Sequence, residues 1–93
     1  MTSQPERRQV IYSGRVQGVG FRYTARHIAQ SYVVTGFVRN RDDGRVELVA
    51  EGLPVELDRF LADISERMGS NIREALVTRG QPTGQYSSFE IAY

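Results

Sequence analysis

The chain has 93 residues, enough for one domain with a single core and too few for two. A hydrophobic share of 40% and a charged share of 25% are those of an ordinary globular protein, and a net charge of +1 sets up no broad field toward nucleic acid or a membrane surface. All twelve basic residues are Arg and there is no Cys, which excludes a Schiff-base or phosphate-binding lysine, disulfides, thiolate metal sites and a thiol nucleophile.

The opening "MTSQPERRQV" lacks the apolar run of a secretory signal, so residues 1 to 6 read as a disordered lead-in to a single domain over 7 to 93. No stretch approaches the length of a membrane span. "RQVIYSGRV" is rich in β-branched and aromatic residues and predicts a first strand at about 8 to 14. From Phe21 the period changes. Phe21, Ala25, Ile28, Ala29 and Tyr32 share one helical face and predict a helix to about Val33. "VTGFVRN" reads as a second strand and "RDDG" as a turn. "RVELVAE" reads as a third strand, paired with the second as a hairpin.

"GLPVELDRFLADISERMG" is the clearest helix. Pro54 stands near its first position, Gly69 just past its end, and Leu57, Phe60, Leu61, Ile64 and Met68 make its apolar stripe. Glu56 and Asp58 lie in its first turn and Arg67 in its last, as the helix dipole favours. "IREALVTR" reads as a fourth strand, "PTGQ" as a turn, and "SSFEIAY" as a fifth strand. The order βαββαβ plus a terminal strand predicts an α+β sandwich of the ferredoxin-like kind. Two helices would cover one face of a mainly antiparallel sheet, leaving the other face partly open.

The first helix breaks the rule that the second obeys. Arg22 falls in its first turn and Arg26 one turn later, where each cation costs a few tenths of a kcal/mol to about 1. Residues 17 to 20 are Gln-Gly-Val-Gly, with no Ser, Thr, Asp or Asn to cap the first N–H groups. A bound anion answers both difficulties, because it accepts those N–H groups and neutralises Arg22. Gly14, Gly18 and Gly20 let the backbone turn tightly enough to point several N–H groups inward. The alternative reading of the loop alone is a plain strand-to-helix turn with water on its N–H groups. The nucleoside-triphosphate signature "GK[ST]" is absent, and "GRVQGVG" does not have the dinucleotide spacing "GxGxxG".

"GRVQGVGFR" (14 to 22), followed by "GFVRN" (36 to 40) and "DGRVELVAEG" (43 to 52), resembles the acylphosphatase family. The resemblance is close over residues 8 to 62 and looser at "YSSFEIAY"; "SNIREALVTRGQP" departs from the family pattern, which leaves the bounds of the fourth strand, at 70 to 80, open. The resemblance implies hydrolysis of acyl phosphates to a carboxylate and inorganic phosphate, without metal or cofactor. It implies that Arg22 binds the phosphoryl group and that Asn40 positions the attacking water. Arg15, Val16, Gln17, Gly18, Val19 and Gly20 would supply the phosphate-binding loop. A non-catalytic phosphate-binding or regulatory domain of the same fold is the alternative. So is an accessory domain of a larger carbamoyl-transfer protein, against which the short chain without zinc-finger cysteines argues. The expected partners are a small-molecule acyl phosphate and inorganic phosphate, with no nucleic acid or membrane, in a cytoplasmic monomer.

Other residues invite chemistry less strongly. His27 lies about 140° around the helix from Arg22 and reads as a surface histidine rather than a general base. Asp42 and Asp43 precede a glycine and read as turn residues rather than metal ligands. Tyr12, Tyr23, Tyr32, Tyr86 and Tyr93 read mostly as core or rim aromatics. An RNA-binding module of the same fold is set aside because "RVELVAE" carries no aromatic residue.

Overall fold

A computed structural model describes residues 3–93. In chain order the elements are β1 (Glu6–Gly14), α1 (Phe21–Ala29), β2 (Thr35–Asn40), β3 (Val46–Gly52), α2 (Pro54–Met68), a 3-10 turn (Gly69–Asn71), β4 (Ile72–Gly80) and β5 (Phe89–Ala92). The strands form one sheet in the order β4-β1-β3-β2-β5. All neighbours are antiparallel except β2 and β5, which run parallel. This is the expected ferredoxin-like α+β architecture. No helix among the described residues is long and apolar enough to cross a membrane.

Alternation decides which face is buried. Val10 and Tyr12 of β1, Val38 of β2, and Val46, Leu48 and Ala50 of β3 pack with Phe21, Ala25 and Ile28 of α1 and Leu57, Phe60 and Ile64 of α2. Tyr12 lies against Phe21, ring centroids 4.9 Å apart, and its burial raises the phenol pKa. The buried guanidinium of Arg8 sits beside this core, paired with Asp58 at 2.6 Å and Glu6 at 3.2 Å.

Several elements depart from expectation. Strand β1 starts at Glu6, pairing with Gly52, so it overlaps the last residue of the expected lead-in; Met1 and Thr2 lie outside the described residues. Helix α1 stops at Ala29 instead of about Val33. The N–H groups of Gln30, Ser31 and Tyr32 turn to carbonyls three residues back, at 3.2, 3.0 and 3.1 Å, which tightens and ends the helix before the β-branched pair Val33-Val34. Glu56 accepts the Val33 N–H at 2.7 Å. Tyr32 still packs on the helical layer, against Phe60 and hydrogen-bonded to Asp63.

The far face of the sheet is less open than the alternation of β3 suggests. Glu47, Val49 and Glu51 are buried as well, because β3 is central and the segment 81–88 folds over one end of that face. Glu51 holds the segment: its carboxylate accepts Thr83 N–H at 2.8 Å, Thr83 Oγ1–H and Gly84 N–H at 3.0 Å, and the Arg7 guanidinium at 3.2 Å. Burial raises the Glu51 pKa, but the Thr83, Gly84 and Arg7 donors outweigh it and leave the carboxyl below its ordinary value. Strand β4, by contrast, is an edge strand whose residues from Arg73 onward are exposed, Leu76 and Val77 among them.

One register detail positions everything that follows. Val46 of β3 pairs with Tyr12 of β1 on one side and with Asn40 of β2 on the other. The exit of β1 and the exit of β2 therefore lie at the same end of the sheet, two strand spacings or roughly 10 Å apart.

Candidate active site

Residues 15–20 leave β1 at that end of the sheet and lead into α1. The turn begins at a β-bulge between Ser13 and Gly14. Gly14 has φ 121°, and a Cβ there would lie 2.4 Å from Asn71 O, so only glycine fits. Arg15 N–H donates to Asn71 O at 2.9 Å and ties the base of the loop to the segment before β4. Val16 is buried and anchors the loop from within. Gly18 and Gly20 then take left-handed conformations, φ 74° and 77°. Gly20 is the N-cap of α1, and no side chain caps the helix.

Val16, Gly18, Gly20, Phe21, Arg22, Tyr23 and Asn40 line a cavity of about 180 Å³. The sequence expectation thus divides. Val16, Gly18 and Gly20 of the loop, together with Arg22 and Asn40, come together around one space although Arg22 and Asn40 belong to different elements. Arg15, Gln17 and Val19 do not line it. The Arg15 N–H is already engaged by Asn71, and the Gln17 side chain turns to the β2–β3 hairpin. Phe21 and Tyr23 also line the cavity; the sequence places Phe21 on the apolar face of the helix and Tyr23 among the core or rim aromatics, and gives neither a site role. His27 is exposed and does not line the cavity.

The electrostatics of Arg22 set it apart from Arg26, Arg39, Arg41 and Arg45; Arg15 of the loop, like Arg22, makes no ion pair among the described residues, but it does not line the cavity. Arg26 pairs with Glu90, Arg39 with Glu47, and Arg41 and Arg45 with Asp43. Arg22 is half-buried and makes no ion pair among the described residues. Its guanidinium carbon lies 5.0 Å from the centroid of the Tyr93 ring. A cation stacked on an aromatic face keeps the donors at its edge free. The neighbouring Tyr23 phenol raises the Tyr93 phenol pKa. The uncapped helix start adds partial positive charge to the same space. Asn40 contributes a neutral amide with both a donor and an acceptor.

The hairpin after Asn40 is a closed turn. Arg41 N–H donates to Arg45 O at 2.8 Å and Gly44 N–H to Arg41 O at 3.2 Å. Asp43 accepts the Arg45 N–H and both flanking guanidinium groups, and the Arg45 bonds, then those from Arg41, depress its pKa well below the usual carboxylate range. Asp43 therefore serves the turn, as its place before Gly44 predicts, and Asp42 lies in the same turn. Among the described residues no cluster of three or more His, Cys, Asp or Glu has a geometry suited to a metal ion.

Known proteins match over nearly the whole chain. The acylphosphatase family model covers residues 8–91. An acylphosphatase of Bacillus licheniformis is 42% identical over 86 residues, spanning 91% of this chain and 96% of the relative. The crystal structure of acylphosphatase from Bacillus subtilis superposes with a TM-score of 0.84 at 34% identity, covering 95% of this chain and 99% of that one. The structure of full-length HypF in a phosphate- and nucleotide-bound form matches at TM-score 0.78 and 27% identity, where this chain corresponds to 12% of that protein.

Proposed function

Because the chain belongs to the acylphosphatase family and is an acylphosphatase, we propose that it hydrolyses the carboxyl–phosphate anhydride in the cavity between the 15–20 loop and Asn40. One observation carries this reading: an arginine without a carboxylate partner, an uncapped glycine turn and a strand-end amide line the same space. Its volume is several times the ~30 Å³ share of one water, room for a phosphoryl group and a nucleophile.

Phosphoryl transfer asks for positioning and charge stabilisation more than for covalent chemistry. The Arg22 fork holds two phosphoryl oxygens, and N–H groups of the loop and first turn of α1 hold the phosphoryl group beside it. Asn40 accepts a hydrogen bond from the attacking water and donates to a phosphoryl oxygen. An amide is too weak a base to deprotonate water, so Asn40 orients it. The water oxygen forms the new bond to phosphorus, the bond from phosphorus to the acyl oxygen breaks, and the carboxylate leaves with its electron pair. The proton of the water passes to a phosphoryl oxygen of the substrate. The products are a carboxylate and inorganic phosphate.

The test is turnover of benzoyl phosphate beside an ordinary phosphomonoester, each with and without chelator. The expected result is hydrolysis of the acyl phosphate alone, unchanged by chelator. Activity abolished by chelator and restored by a divalent ion would overturn the metal-free mechanism.

A further inference from the structure

The side chain of Gln17 belongs to the loop but not to the cavity. Its Nε2 donates to Arg41 O at 2.8 Å and to Arg45 O at 2.9 Å. Both partners are carbonyls, which only accept, so the group facing them is the NH₂ and both of its protons are used. The two carbonyls have a specific place in the hairpin. Arg41 directly follows Asn40, and Arg45 directly precedes Val46, the register partner of Asn40. One amide thus grips both residues flanking the Asn40–Val46 pair.

We propose that Gln17 is a positioning residue that fixes where Asn40 stands relative to the glycine loop and Arg22. The proposal rests on the role given to Asn40 above. The hairpin does not need Gln17 in order to form. Arg41 N–H to Arg45 O, Gly44 N–H to Arg41 O and the Asp43 bonds close the turn by themselves, and both carbonyls keep an acceptor bond without Gln17. What the amide adds is the one hydrogen-bonded link between the loop and the hairpin among the described residues. Beyond Gln17 the loop turns through Gly18 and Gly20, both left-handed. Its near side is held by buried Val16. A short side-chain bridge from the loop to the hairpin, its amide held by two hydrogen bonds, sets the distance between the anion-binding backbone and the water-orienting amide. Reaction geometry is sensitive on that scale, since a misplacement of about 1 Å by a change outside the reacting groups costs up to ~100-fold in rate.

The experiment is a cycle of four proteins: wild type, Gln17→Met, Asn40→Ala and the double variant. Methionine keeps the length of the side chain and removes both donors. For each, kcat on benzoyl phosphate, the inhibition constant of inorganic phosphate and the melting temperature are measured. Gln17→Met is expected to lower kcat about tenfold while phosphate inhibition stays within about twofold. In the Asn40→Ala background the same change should cost less than about twofold, because its effect passes through Asn40. An equal loss in both backgrounds, an unchanged kcat, or phosphate inhibition weakened in step with kcat would overturn the proposal. So would a Gln17→Met protein that fails to fold, since that makes the amide structural. Asn40→Ala at the wild-type rate would overturn the role of Asn40 instead, a separate result from any of these.

Discussion

Replacing Arg22 by alanine separates a cation kept for a ligand from one kept for the fold. In the folded protein the guanidinium has the Tyr93 ring as its described partner, an exposed cation–π contact worth about 0.5–1 kcal/mol. Against this, a cation in the first turn of α1 opposes the dipole by about 0.3–1 kcal/mol. Its like-charge relation to Arg26 one turn on costs about 0.2–0.5 kcal/mol. These terms nearly cancel, with a slight excess favouring alanine, so the melting temperature should hold or rise by a few degrees. Turnover should behave differently. An arginine that neutralises a transferring phosphoryl group is worth about 10³-fold or more, about 4 kcal/mol of barrier. Arg22→Ala should therefore lose benzoyl phosphate hydrolysis by at least that factor and lose inhibition by inorganic phosphate. Arg22→Lys should recover under about a tenth of the wild-type rate, because an ammonium lacks the planar fork. The assays are thermal melts followed by circular dichroism, steady-state hydrolysis and phosphate inhibition on the same preparations. A melting temperature lowered by more than about 8 °C would show Arg22 to be a structural residue. A near-wild-type rate in Arg22→Lys would refute the fork argument.

Asn40→Ala should keep phosphate inhibition within a few-fold while kcat falls about a hundred-fold, roughly 3 kcal/mol of barrier, because orientation of water is felt mainly in the transition state. Asn40→Asp should weaken phosphate inhibition further than alanine does, by setting a second negative charge beside the anion; equal loss of phosphate affinity in Asn40→Ala and Arg22→Ala would refute the division of labour. The Glu51 latch is read by pH. Its folded carboxyl lies below the ordinary value, so its contribution is complete above the usual carboxylate range and is lost as pH falls through the folded value. Glu51→Gln should cost about 2 kcal/mol at neutral pH by leaving donors of Thr83, Gly84 and Arg7 poorly matched, and its melting temperature should converge on that of wild type in acid. A gap between the two proteins that is constant with pH would show that the charge of Glu51 contributes nothing.

The local parts of this protein were written in local sequence. The period of Phe21, Ala25, Ile28 and Ala29 set α1, Pro54 and the acidic first turn set the start of α2, and Asp43-Gly44 set the hairpin, because each depends on neighbours a few residues apart. The misplaced cation at Arg22, after an uncapped glycine turn, was legible for the same reason: it is a conflict between a residue and its own helix. The motif pair around Arg22 and Asn40 pointed to the family. What local pattern does not contain is which distant groups meet. The end of α1 was settled by Glu56 capping Val33 and by the turn at Gln30, not by the apolar face, which runs on to Tyr32. Burial of Glu51 on the far face of β3 followed from a segment about thirty residues further along. The Tyr93 ring over Arg22 and the grip of Gln17 on Arg41 and Arg45 likewise join segments far apart in the chain. Periodicity reports only which way a side chain faces; a hydrogen bond or a stacked ring also requires the partner's place in space, and that place exists only once the sheet register is closed.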